Sequence, residues 1–139
     1  MAEHLLRRRL GGNSAWRVMS AGTAAIDGMP ASRNAVEVMR EKGIDAGSHV
    51  SCALTRGLVD SAAVIVAMTA AHKEDILRTF PSAKGKVFLL KALGTAPVPD
   101  DVDDPAGLTT DSYRRVRDEI DAALPDVVLF LHEHGDEGR

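Results

Sequence analysis

The sequence has one cysteine, no long apolar run and no large excess of either charge. Each shortage excludes something. Cys52 has no partner for an intramolecular disulfide and fits a reducing, cytoplasmic compartment. No apolar run approaches the ~20 residues that a membrane span needs, so no membrane association is expected. Three arginines after a brief apolar stretch do not make a secretory signal. With 17 basic and 20 acidic residues the net charge is −3, which argues against a large nucleic-acid footprint. His-Glu-x-x-His, Cys-x-x-Cys and Gly-x-Ser-x-Gly are all missing, and no metal or cofactor is expected.

What is present reads as one α/β domain over residues 1–139, a length at which roughly two-thirds of the unfolded surface is buried. Leu5, Leu6 and Leu10 put an apolar stripe on a helix over residues 2–10, ended by Gly11-Gly12. The Arg7-Arg8-Arg9 run is one solvated side of that helix. Residues 16–20 read as a short strand. A helix follows from about Ser32 to a stop at Gly43, and residues 54–60 form a helical turn. Residues 62–68 are apolar on both faces, as in a central strand of a parallel sheet. Thr69 is a fitting N-cap for the next helix, and residues 86–90 form another buried strand. A loop rich in Pro, Gly and Asp spans 94–109. The last helix runs from about Thr110, with Tyr113, Val116, Ile120, Leu124, Val127 and Leu131 on its buried face. Pro125 should kink or split it. Residues after His134 are polar and expected to fray.

Ligands in such a sheet bind beyond the carboxyl ends of the strands. Those ends lead into Ala21-Gly22-Thr23, Thr69-Ala70-Ala71-His72 and the 94–109 loop, which should therefore share a rim. Asp100, Asp101, Asp103 and Asp104 cluster there, as a solvated acidic loop or as a source of a general acid, general base or metal ligand. A cysteine phosphatase needs its thiolate cradled by backbone N–H groups, with an arginine six positions on. The residue six after Cys52 is Leu58, so Cys52 reads as structural. His49, His72, His132 and His134 read as hydrogen-bonded structural histidines. Gly22 is weak evidence for an anion-contacting turn.

In order and spacing, the segments resemble the low-molecular-weight protein-tyrosine phosphatase family over about residues 1–131. The matching pieces are Met1-Ala2-Glu3, Ser20-Ala21-Gly22-Thr23, Gly43-Ile44-Asp45, His49-Val50-Ser51 and Leu54-Thr55. They continue with Ala67-Met68-Thr69 and His72, Lys86-Val87-Phe88-Leu89-Leu90, Asp104-Pro105-Ala106-Gly107 and Tyr113-Arg114-Arg115. The resemblance implies a flavodoxin-like three-layer fold with a small parallel sheet. It also implies hydrolysis of phosphate monoesters, on a phosphorylated protein or a small ester, through a phosphocysteine.

By family position, Asp104 is the general acid and base, and Ser20 supports the phosphate loop. Ile26 and Ala106 stand where site-wall aromatics are usual, and His72 lies in a family-like place. The family's first central strand and its Cys-x5-Arg-Ser loop would precede Met1, so the nucleophile and phosphate-binding arginine are expected outside residues 1–139. A start called too late would account for this, as would a phosphate loop supplied by an upstream fusion segment. No turnover is expected of these residues alone. The alternatives are a protein-arginine phosphatase of the same family and an inactive binding or scaffolding module. The latter would close its sheet by dimerising or by borrowing a strand.

Overall fold

The computed structural model describes residues 1–12, 14–93 and 101–135. Local chemistry sets most of the element boundaries. Helix α1, Ala2–Leu10, stops at Gly11, whose φ of 77° takes it out of the helix. Helix α2 spans Arg33–Arg40 and starts where the Ser32 hydroxyl accepts from the Ala35 amide at 3.2 Å. The turn after it uses Gly43 at φ 73°. Helix α3, Arg56–Ser61, and helix α4, Ala70–Thr79, begin in the same way at Thr55 and Thr69. Strands β1, Ile65–Ala67, and β2, Val87–Leu89, lie between and after them. Helix α5 runs from Thr110 to Gly135.

The two strands pair in parallel, with Ile65 opposite Val87 and Ala67 opposite Leu89. The sheet separates two apolar cores, as period-two alternation requires. Ile65, Ala67, Val87 and Leu89 pack with Val59, Ile76 and Ala83 on the α3/α4 side. Val64, Val66 and Met68 pack on the other side against Leu5 of α1, Met39 of α2 and the stripe of α5. Phe88 reaches Phe130 of α5 with ring centroids 4.8 Å apart. The result is the expected three-layer α/β arrangement, with a short parallel sheet covered on both faces. Among the described residues, no strand pairs with the other edge of β1.

Two expectations need correction. Residues 16–20 run without a ladder partner among the described residues, so they form no strand. A β-strand is stable only when its backbone groups are shared with a neighbour. Here the Val18 carbonyl is instead satisfied by a guanidinium N–H of Arg7 at 2.7 Å. Pro125 does not split the last helix, which is a single element through that position. The proline is exposed, so the carbonyl four residues earlier loses its helical partner on the side of the helix that faces solvent.

One charged side chain is buried in this framework. Arg117 on α5 is 4% exposed and donates to the Val38 carbonyl at 2.8 Å and to Glu41 at 2.7 Å, clamping α5 to the end of α2. Arg114 makes a two-pronged contact with the same Glu41 carboxylate, at 2.9 and 2.6 Å. Residues 94–100 and 136–139, which include the start of the acidic loop and the expected frayed tail, lie outside the described residues. No helix among the described residues is long and apolar enough to cross a membrane.

Candidate active site

The acidic loop packs onto the carboxyl end of β1. The Val102 amide donates to the Met68 carbonyl at 2.8 Å, just past the last residue of β1. The Asp101 carboxylate accepts from the Ala70 amide at 2.8 Å, at the opening of α4. Asp101 therefore acts as a second cap beside Thr69, with its negative charge at the positive end of the helix. Val102 is 3% exposed and anchors the loop in the larger core. Two residues on, Asp104 is exposed, and its carboxylate accepts from the Ala106 amide at 3.0 Å across the buried Pro105. This Asx turn fixes the direction of the carboxyl group while leaving one oxygen free to meet a solvent-side partner. Asp103 is exposed as well, and Asp100 lies outside the described residues. The loop continues to α2, where the Asn34 side chain donates to the Leu108 carbonyl at 3.4 Å and accepts from the Thr110 hydroxyl at 3.0 Å.

A second loop is built by polar side chains that the sequence reading passed over. The Asp27 carboxylate accepts from the Ala53 amide at 2.7 Å. The Ser51 hydroxyl accepts from the Met29 amide at 3.0 Å and donates to the Ile26 carbonyl. Gly22 donates to the Cys52 carbonyl at 2.9 Å and accepts from Leu54 at 3.0 Å. A Cβ on Gly22 would come within 2.6 Å of the Ala25 Cβ, so the glycine is required by this close approach. Both of its backbone groups are used by the protein, which leaves no anion-binding role for them.

Ile26 is 73% exposed at the tip of this loop. Cys52 is half-buried, and its thiol faces the Ala53 carbonyl at 3.4 Å. The amides that follow it are taken, Ala53 by the Asp27 carboxylate and Leu54 by the Gly22 carbonyl, so the thiol lacks the cradle that would activate a thiolate. His72 sits exposed on the first turn of α4. His134 stacks on Phe130 at 3.9 Å and bonds to its carbonyl, as a structural histidine does. The expected shared rim is present in part. The 101–109 loop and the start of α4 meet directly, whereas the hydrogen bonds of Gly22 go to the 52–54 segment.

The first turn of α1 carries a polar cluster of its own. Glu3 sits at its centre, with its side chain 9% exposed. One carboxylate oxygen accepts from the Ser20 hydroxyl at 3.0 Å, and the other is 3.0 Å from Arg7 Nη1. The same second oxygen is 3.7 Å from Nδ1 of both His4 and His49. Burial lowers the pKa of His4 below its ordinary value, against the opposing pull of Glu3, which favours a neutral ring. These groups line a cleft of about 350 Å³ that also reaches Arg17, Ser48 and Cys52. A larger open depression of about 520 Å³ lies farther along α1, lined by Arg7, Arg8, Trp16 and Arg17, and contains no acid or base. The arginine run has partners in the protein. Arg7 pairs with Glu3, Arg8 donates to the Lys42 carbonyl, and Arg9 meets Asp121 at 3.0 Å. The i, i+4 spacing of Glu3 and Arg7 is a signal that could have found their pair, which sequence reading missed, but only the fold brings His49 to it.

Comparisons with known proteins assign this framework. The profile of the family described as low molecular weight phosphotyrosine protein phosphatase matches residues 1–136. The chain is 40% identical over 107 residues to a protein-arginine-phosphatase of Geobacillus stearothermophilus, covering 77% of this chain and 71% of the relative. It is 36% identical over 127 residues to a Ralstonia solanacearum protein named as a probable low molecular weight protein-tyrosine-phosphatase, EpsP, covering 91% and 86%. Its fold superimposes on the YwlE arginine phosphatase of Geobacillus stearothermophilus with a TM-score of 0.86 and 35% identity, over 99% of this chain and 87% of that one. The parallel sheet, its covering helices and the loop that closes on the end of β1 are thus those of a known enzyme framework, and the chain belongs to the low molecular weight phosphotyrosine protein phosphatase family.

Proposed function

We propose that residues 1–139 form one phosphatase-type domain in which Asp104 is the general acid and base for phosphoryl transfer from a phosphorylated protein. The observation that carries this reading is the position of Asp104. It lies on an Asp-Pro loop tied to the end of β1 through Asp101 and Val102, and its carboxylate direction is set by the Ala106 amide. In the reaction a thiolate attacks phosphorus and displaces the leaving group, which takes a proton from Asp104. The resulting carboxylate then removes a proton from the water that hydrolyses the phosphocysteine. Cys52 does not serve as that thiolate, because Leu58 rather than an arginine stands six positions on and no ring of free amides surrounds it. In this reading the thiolate is that of the family's Cys-x5-Arg-Ser loop, a pattern that residues 1–139 do not contain, and Ser20 is the residue that would support it.

Phosphoarginine is favoured over phosphotyrosine as the substrate. The two positions where an aromatic wall would stack on a phenyl ring hold the exposed Ile26 and Ala106. One similar protein, at 40% identity, is a protein-arginine-phosphatase. The free thiol of Cys52 supports a reducing, cytoplasmic setting.

The test compares the 139-residue chain with a version extended by such a loop. The chain alone should not hydrolyse para-nitrophenyl phosphate above background, and the extended form should. In the extended form, Asp104→Asn should lower kcat by about 10²–10⁴-fold, whereas Cys52→Ser should leave turnover unchanged. Turnover by residues 1–139 that disappears in Cys52→Ser would overturn the assignment. A higher kcat/KM on phosphotyrosine than on phosphoarginine peptides would reverse the substrate preference.

A further inference from the structure

We propose that Glu3, His4 and His49 form a binding site for a divalent transition-metal ion of the zinc type. One donor atom from each of the three lies within 4.8 Å of the others, and no ion is present in the structure. Two of the separations, from the Glu3 carboxylate oxygen to the two Nδ1 atoms, are 3.7 Å. Tetrahedral zinc with bonds near 2.0–2.2 Å places its ligands roughly 3.3–3.5 Å apart, close to these two separations.

An independent observation points to the same ligand. Nδ1 of His4 is buried and has no hydrogen-bond partner among the described residues. A buried ring nitrogen left unpaired is costly, and a metal ion supplies what no protein group offers it. The two imidazoles meet edge to face, with ring centroids 5.2 Å apart.

Two imidazoles and a carboxylate are a borderline-soft set that suits zinc, cobalt or nickel better than calcium or magnesium. All three residues border the 350 Å³ cleft, and a three-ligand set leaves the fourth position of a tetrahedral ion for water or a small anion. The Ser20 hydroxyl already holds the other Glu3 oxygen, which orients the carboxylate as a partner behind the ligand should. Arg7 is the competing cation, at 3.0 Å from the ligating oxygen. Its side chain is about half exposed, so an arriving ion can displace it toward solvent. Because Glu3 and His4 lie on α1 and His49 lies in the loop leading to Val50, a bound ion would tie these two segments together.

The metal-free 139-residue chain should be titrated with Zn²⁺ against a chromophoric chelator, and with Co²⁺ followed by visible absorption. The expected result is one equivalent bound with the intense ligand-field bands of four-coordinate Co²⁺. His4→Ala and His49→Ala should each weaken binding by more than the roughly 10–100-fold typical of losing an outer partner. Arg7→Ala should tighten it, a change that a merely structural role for the cluster does not produce. His132→Ala with His134→Ala should leave it unchanged. Should the His4 or His49 variant fail to fold, the ¹⁵N resonances of both Nδ1 atoms in the unmodified chain decide, since they must shift on saturation with Zn²⁺. Unshifted resonances, binding equal to that of the unmodified chain in the folded His4 and His49 variants, or loss of binding only in the tail variants would overturn the site.

Discussion

At the scale of single residues, Glu41 shows how position rather than residue type sets a property. Hydrogen bonds from Arg114, and then from Arg117, hold its carboxyl down at about 2. In the unfolded chain the same group titrates near the ordinary ~4.3. A carboxyl whose folded pKa is depressed contributes stability that is fully present above the unfolded value and is lost as the pH falls toward the folded one. The stability difference between the natural chain and Glu41→Gln should therefore be constant above about pH 5 and shrink steadily toward pH 2. Urea unfolding across that range measures it, and a difference independent of pH would show that the Arg114–Glu41–Arg117 cluster is not formed in solution. Nothing in residues 33–43 or 110–120 read separately announces this cluster, because its members come from helices far apart in the chain. Asp101 makes the same point. Its residue type suggested acid, base or ligand chemistry, whereas its contact with the Ala70 amide is a helix cap.

Among the elements, those with local punctuation were legible. Ser32, Thr55 and Thr69 each cap the helix expected after them, and Gly11 and Gly43 end or follow helices where expected. The segment at 16–20 misled because strand character depends on a partner that composition does not reveal. Of the kink or split expected at Pro125, the split does not occur. The proline's local penalty is outweighed by a face on which Leu124, Val127 and Leu131 are each at most 5% exposed. Since the proline is exposed and lies inside α5, Pro125→Ala should restore one helical hydrogen bond and raise stability by about 1–3 kcal/mol. Thermal and urea unfolding measure it. A loss of stability instead would mean that a bend at Pro125 is needed to fit α5 to α1 and β2.

The whole molecule consists of two cores divided by two short parallel strands, and they should respond independently. Ile76→Val in the α3/α4 core should cost about 0.5–1.5 kcal/mol, and Leu124→Ala in the α1/α5 core about 2–5 kcal/mol. Because the sites share no packing partners, the double variant should equal their sum to within about 0.5 kcal/mol. A larger coupling would show that strain passes through the sheet. The sequence by itself determined the helices, the two buried strands, the family and the Asp-Pro loop, since period, caps and short ordered segments are local properties of a chain. Tertiary packing alone left residues 16–20 without a ladder partner among the described residues and put Gly22 in a backbone bridge. It alone placed His49 beside Glu3 and His4, with a buried nitrogen left open. Those facts depend on which distant segments meet, and packing settles that where local propensity cannot.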